Sequence, residues 1–179
     1  KWALQGSSDE KLSMALRVSG DFPWGPGELS HYDSTHIYIL SAAMDAYLKS
    51  EEGPNSDLWN MMQAEVLEPI GVFHLPMQRT IEKDSSLGLP LMFVGLYPTI
   101  DDIAKIAQLF HSGGMHDGQQ LLHAGKVAEA LYLTEEIPGL TTGEWGVHYH
   151  LGFFLAPTPW WFRWSDRTTG WTKTSCQVW

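Results

Sequence analysis

The stretch that decides how this chain is read is Pro26-Gly27-Glu28-Leu29-Ser30-His31-Tyr32-Asp33-Ser34, which runs directly into an amphipathic segment. A Tyr-x-Ser triplet at a loop-to-helix junction aims a phenol and a hydroxyl into one cavity. The helix N-terminus behind them stabilises negative charge. A phenol with a lowered pKa can act as a general base. Upstream, Gly20, Pro23, Gly25, Pro26 and Gly27 make residues 20–33 a shaped loop. Downstream, Ile37, Leu40, Met44 and Leu48 fall on one helical face at spacings of three and four. Gly53-Pro54 ends that run.

Working outward, residues 1–20 are ambiguous, with a short helix from Ser8 to Val18 as one reading. Ser56 can cap another, with Leu58, Met61, Met62 and Val66 inward, stopped by Glu68-Pro69-Ile70-Gly71. Residues 72–98 read as irregular, with turn signals at Gly88-Leu89-Pro90. Thr99-Ile100-Asp101-Asp102 has the form of a capping box, with Asp where Glu is usual. Ile103, Ile106, Ala107 and Phe110 form its expected buried stripe, and Gly113-Gly114 closes it. A further helix is expected from Gly125 to Leu133, and one strand from Tyr149 to Leu155. The end of the chain differs. Trp160, Trp161, Trp164, Trp171 and Trp179 crowd into the last 20 residues, and no helical or strand period fits Pro159 to Trp179.

A length of 179 residues suffices for one domain with a real core. The formal charge of −10, from 21 acidic against 11 basic residues, and the lack of any Lys/Arg cluster argue against a nucleic-acid partner and an anionic membrane surface. Cys176 is the single cysteine, so neither a disulfide framework nor a cysteine-based zinc site is expected. No apolar run approaches the roughly 18 residues that span a bilayer. Lys1-Trp2-Ala3-Leu4-Gln5-Gly6 has no apolar core of a signal peptide and no initiator Met. The chain therefore reads as processed, excised or incomplete at its front.

Residues from about Trp24 to Leu155 resemble the serine beta-lactamase-related family, which includes class C beta-lactamases, D-alanyl-D-alanine carboxypeptidases and esterases. Pro26-Gly27-Glu28 with Tyr32-Asp33-Ser34 resembles the family's second motif, Tyr-x-Asn or Tyr-x-Ser, and a helix from Thr35 to Lys49 follows it. Glu65-Val66-Leu67-Glu68-Pro69-Ile70-Gly71 resembles its VxxPIGM segment. Gly95-Leu96-Tyr97-Pro98-Thr99-Ile100-Asp101-Asp102-Ile103-Ala104-Lys105 is similar to the stretch G-x-x-x-[ST]-x-x-D-x-A-[KR], and Gly118-Gln119-Gln120-Leu121-Leu122 to the turn after it. The resemblance implies an α/β fold of the α+β type, here mostly helical, over residues 1–157, with a divergent tail at 158–179. It implies acyl-enzyme chemistry on a small-molecule ester, amide or beta-lactam, without a cofactor or metal. Tyr32 would be the proton-transfer phenol, and Ser34 would hydrogen-bond substrate or lysine. The plainer alternative makes Tyr32 a half-buried loop residue and Ser34 an N-cap. Family members often act outside the cytoplasm.

Two departures limit the resemblance. The Ser-x-x-Lys nucleophile motif should lie several tens of residues before Tyr32. Ser8-Asp9-Glu10-Lys11 spells it, but too close, and its two acids would raise the lysine pKa. It reads as a solvated helix start. The third motif, a Lys/His-Thr/Ser-Gly strand edge, has only a faint echo in Thr168-Thr169-Gly170, while Thr141-Thr142-Gly143 reads as a turn. The tryptophan-rich tail is what a shifted frame or foreign junction could produce. The chain is thus expected to carry motif two, to lack the nucleophile and to be nearly inactive alone. The alternatives are a non-catalytic binding module on the same fold, or a truncated product without activity. His148-Tyr149-His150, His111, His116 and His123 lack the His-Glu-x-x-His pattern and are expected to be surface or packing residues. No Gly-x-Ser-x-Gly elbow or nucleotide-binding glycine motif is present.

Overall fold

The computed structural model describes residues 6–18, 22–25, 27–31, 33–133, 140–141, 148–156 and 177–178. The fold mixes helices with small antiparallel sheets. It divides into two compact units, Lys1–Phe22 with Asp33–Leu122, and Pro23–Tyr32 with His123–Trp179.

In the first unit, α1 (Ser8–Val18) takes the helical one of the readings open to that stretch. The Ser7 hydroxyl accepts the Glu10 N–H and the Glu10 carboxylate accepts the Ser7 N–H, a reciprocal cap. Helix α2 (Ser34–Glu52) is capped by Asp33, whose carboxylate accepts the Thr35 N–H at 2.7 Å. It ends at Gly53, whose φ of 104° suits a residue without a Cβ and whose N–H returns to the Lys49 carbonyl. Helix α3 (Leu58–Met62) is capped by Asp57, not Ser56. It passes into a π-helical turn, Gln63–Leu67, before Pro69. Of the residues expected inward there, Leu58 is buried, and Met61, Met62 and Val66 are half-buried.

Residues 72–98 are less irregular than their sequence suggests. Strands β1 (Arg79–Ile81) and β2 (Leu87–Pro90) form an antiparallel hairpin, so Gly88-Leu89-Pro90 is strand and not turn. The reversal lies at Asp84-Ser85-Ser86 instead, where the Asp84 carboxylate accepts the Ser86 N–H and hydroxyl, and Ser85 takes a φ of 67°. Helix α4 (Ile100–His111) starts with the expected Thr99–Asp102 capping box. The hairpin β3 (Met115–His116) and β4 (Gln119–Gln120) follows Gly113 and Gly114.

Two apolar clusters hold this unit. One joins Trp59, Leu67, Ile70, Val72, Leu75 and Leu109; the other joins Ala15 of α1, Tyr38 of α2 and Leu91. Both long amphipathic helices sit differently from their expected faces. On α2 the buried positions are Thr35, Tyr38, Ser41, Ala42, Asp45 and Leu48, with Leu40 and Met44 exposed. On α4 Leu109 is buried, Ile106 and Phe110 are half-buried, and Ile103 and Ala107 are exposed. The reason on α2 is a polar partner. Asp45, 1% exposed, accepts the Leu58 N–H at 3.0 Å and pairs with Lys49 at 2.6 Å, which turns its side of the helix inward.

In the second unit, α5 (Ala124–Ala130) is capped by His123, whose Nδ1 accepts the Lys126 N–H. It is shorter than the expected Gly125–Leu133 helix. The expected single strand is a hairpin, β6 (His148–His150) and β7 (Phe153–Ala156), because Leu151 and Gly152 take φ values of 45° and 88° and reverse the chain. With β5 (Leu140–Thr141) and β8 (Gln177–Val178) they form a four-stranded antiparallel sheet in the order β5-β6-β7-β8. Thr141 is therefore strand, paired with His148, while Thr142 and Gly143 lie outside the described residues. So does the tail, apart from β8, including Thr168-Thr169-Gly170.

Two outcomes follow for the first unit. Asp45→Ala leaves the buried Leu58 N–H without its acceptor and should cost about 2–3 kcal/mol, while Lys49→Ala should cost roughly 0.5 kcal/mol because its partner keeps a backbone donor; urea unfolding of the two variants checks the ratio. Asp57 is one source of pH dependence. Burial alone would push its carboxyl up, but hydrogen bonds from Arg79 and the Asn60 N–H, with the guanidinium charge, outweigh this and hold it below its ordinary value. That stability is present above the unfolded carboxylate pKa of about 4 and is lost as pH falls through the lower folded value. Urea midpoints should therefore drop between about pH 5 and pH 2, with a lower start and a shallower drop for Asp57→Asn.

Candidate functional site

Ser34 occupies the first turn of α2, directly after the Asp33 cap, and is half-buried. The cap is Asp33, so Ser34 does not serve as one. Tyr32 lies outside the described residues. Tyr38 stands one turn after Ser34 on the same face, and helical side chains lean toward the helix N-terminus. The Tyr38 phenol reaches α1 and donates to the Ser8 carbonyl at 3.2 Å. This contact joins the head of α1 to the first turns of α2.

A dense polar cluster surrounds that junction. The Ser8 N–H faces the Glu82 carboxylate at 3.1 and 3.3 Å, and the Thr80 hydroxyl donates to the same carboxylate at 2.8 Å. Thr80 and Tyr38 are buried. Burial, with the negative charges of Glu82 and Asp9, pushes the Tyr38 phenol up to about 12. Tyr38 is a protonated donor at neutral pH and cannot act as a general base there.

Lys11 corrects the sequence reading. It is 3% exposed, not solvated, and burial lowers the pKa of its amine. Desolvation outweighs the neighbouring acids that were expected to raise it. Burial alone does not make Ser8 a nucleophile. In a serine acyl-transfer site, backbone N–H groups at a helix N-terminus receive the developing oxyanion. Here the Ser8 N–H and the positive end of α1 already face Glu82. A carboxylate at that point opposes the negative charge an acyl transfer must stabilise.

Sequence reasoning missed Thr80, Glu82 and Tyr38 as partners of α1. The one local signal was Ser7-x-x-Glu10, the capping-box pattern that fixes the helix start beside them.

The second unit holds a separate polar group. Glu129 of α5 pairs with Lys126 at 2.7 Å and with Nε2 of His150 at 2.9 Å. Hydrogen bonds from Lys126 and then His150 hold its carboxyl below the ordinary range. The Tyr132 hydroxyl donates to the Phe153 carbonyl. Burial, then the charge of Tyr149, pushes that phenol up to about 12. His150 and His123 thus have structural partners. Among the described residues, no group of three or more His, Cys, Asp or Glu side chains could hold a metal ion. No helix among them is long and apolar enough to cross a membrane.

Compared with protein-family models, curated proteins and solved structures, the chain matches none.

The burial of Lys11 has a direct readout. Under acetylation of the folded chain, Lys11 should react roughly tenfold more slowly than Lys83 or Lys126, because it must await local opening. Those two are 82% and 69% exposed. Denaturation should remove the difference. Equal rates in the folded chain would restore the solvated reading of α1.

Proposed function

We propose that this chain handles acyl substrates of the ester, amide or beta-lactam class in the manner of serine beta-lactamase-related hydrolases. Ser34 meets the substrate, Tyr32 carries the proton-transfer role, and none of the described residues acts as nucleophile. The observation that carries this reading is the position of Ser34 in the first turn of the 19-residue α2, behind the Asp33 cap. That end of a helix favours the carbonyl oxygen or carboxylate of an acyl ligand. Tyr38 takes no proton-transfer role in this reading, because its phenol donates to the Ser8 carbonyl and burial pushes it up to about 12. The quoted motifs support it in order. The motif-two helix, the Glu65–Gly71 segment, the capped α4 and the turn at Gly118 come in the order the resemblance implies.

A second reading, a binding module that holds such ligands without turnover, is favoured by Glu82 facing the Ser8 N–H. Native mass spectrometry with benzylpenicillin, a D-alanyl-D-alanine peptide and a short-chain ester tests whether the chain holds acyl ligands at all, which both readings require. A serine-reactive fluorophosphonate serves as the covalent control. The expected result is reversible binding of at least one ligand, weakened about tenfold by Ser34→Ala, with no covalent adduct. An adduct mapped to Ser8 or Ser34 would show that the chain builds its own nucleophile. A folded chain that binds none of the three would overturn the acyl-substrate reading.

A further inference from the structure

The outward face of α2 carries an unexpected pattern. Directly opposite its buried positions lie His36, Leu40, Ala43, Met44, Tyr47 and Glu51, all exposed. Leu40 is 56%, Met44 46% and Tyr47 68% exposed. Asp45, the one charged residue of α2 between His36 and Lys49, points into the core. The face is thus an uninterrupted apolar seam, closed by an imidazole at one end and a carboxylate at the other. His36 leans edge-on against Phe22.

We infer that this face pairs with the same face of a second copy of the chain, with the two α2 helices antiparallel. The argument is self-complementarity. An isologous two-fold contact sets each residue of a patch against a different residue of the same patch. With the axis between Ala43 and Met44, His36 of one copy meets Glu51 of the other, Leu40 meets Tyr47, and the small Ala43 leaves room for Met44. His36 and Glu51 are 15 positions apart, about 22 Å along a helix at 1.5 Å per residue. One hydrogen-bonded polar pair therefore closes each end of an apolar centre. A parallel pairing would set His36 on His36 and Glu51 on Glu51, losing both. Three large apolar side chains per copy give a contact at or below the roughly 1,200 Å² that marks weak, transient interfaces. The dimer is accordingly concentration-dependent. This inference is independent of the acyl-substrate reading.

Sedimentation equilibrium of the full 179-residue chain, from micromolar to millimolar concentration, tests it. The wild-type chain should shift from monomer to dimer across that range. Tyr47→Asp, at an exposed position that spares the fold, should weaken the dimer at least tenfold, with unchanged circular dichroism. Glu51→Arg should weaken it severalfold and His36→Arg should tighten it. The doubly exchanged chain, His36→Glu with Glu51→Arg, should return close to wild type, which only the antiparallel register allows. A chain monomeric at every concentration would overturn the inference, as would a dimer indifferent to Tyr47→Asp. Failure of the double exchange to rescue would overturn the register.

Discussion

Ser8 is the joint on which the first unit depends. Its N–H faces the Glu82 carboxylate, 74 positions later, and its carbonyl accepts the Tyr38 phenol, 30 positions later. One residue thereby ties α1 to both α2 and the β1–β2 hairpin. Loop-closure cost grows only logarithmically with separation, so two such distant ties are affordable if their groups arrive pre-placed. The hairpin does the placing: Thr80 donates to Glu82 and fixes its carboxylate. Gly88, across the hairpin, has no side chain because any Cβ there would run into Glu82 and Thr80. The absence of an atom at one position thus sets the aim of a carboxylate at another.

The same joint limits what α1 can do chemically. A Ser-x-x-Lys pattern at a helix start places a hydroxyl and an amine about one turn apart, and burial lowers the pKa of the Lys11 amine. The missing ingredient is electrostatic. Glu82 neutralises the positive end of α1, and removing it would leave the helix head without its acceptor as well as freeing an N–H. Stability of the joint and oxyanion binding at Ser8 therefore compete for the same backbone group.

What the sequence revealed followed the range of the forces involved. The Gly53 stop of α2 and the Thr99–Asp102 capping box were legible because caps and stops act over three or four residues. The β1–β2 hairpin was not, because Gly88 and Pro90 carry turn signals and their strand character depends on pairing with residues 79–81. The β6–β7 reversal was hidden because Leu151 does not advertise a left-handed backbone. The burial of Lys11 was missed for a related reason. Two adjacent acids are visible in sequence, whereas the packing that removes water from the amine comes from distant segments. Of the two proposed catalytic residues, the helix-head position of Ser34 was legible from local pattern alone.

The orientation of α2 shows how tertiary packing can overrule periodicity. Apolar spacing pointed to Ile37, Leu40, Met44 and Leu48; Leu48 is buried as expected and Ile37 half-buried, but the helix otherwise buries Thr35, Tyr38, Ser41, Ala42 and Asp45. Small residues let α1 and α2 approach closely, as the buried Ala15 beside Tyr38 requires. Asp45 then gains a buried N–H that no apolar side chain could satisfy. Turning the helix to make these contacts leaves Leu40, Met44 and Tyr47 in water, at about 25 cal/mol for each Å² of apolar surface left uncovered. The polar anchor and the exposed seam are therefore two sides of one choice. A partner on that seam would recover the hydrophobic energy without disturbing Asp45, since the two lie on opposite faces of the helix.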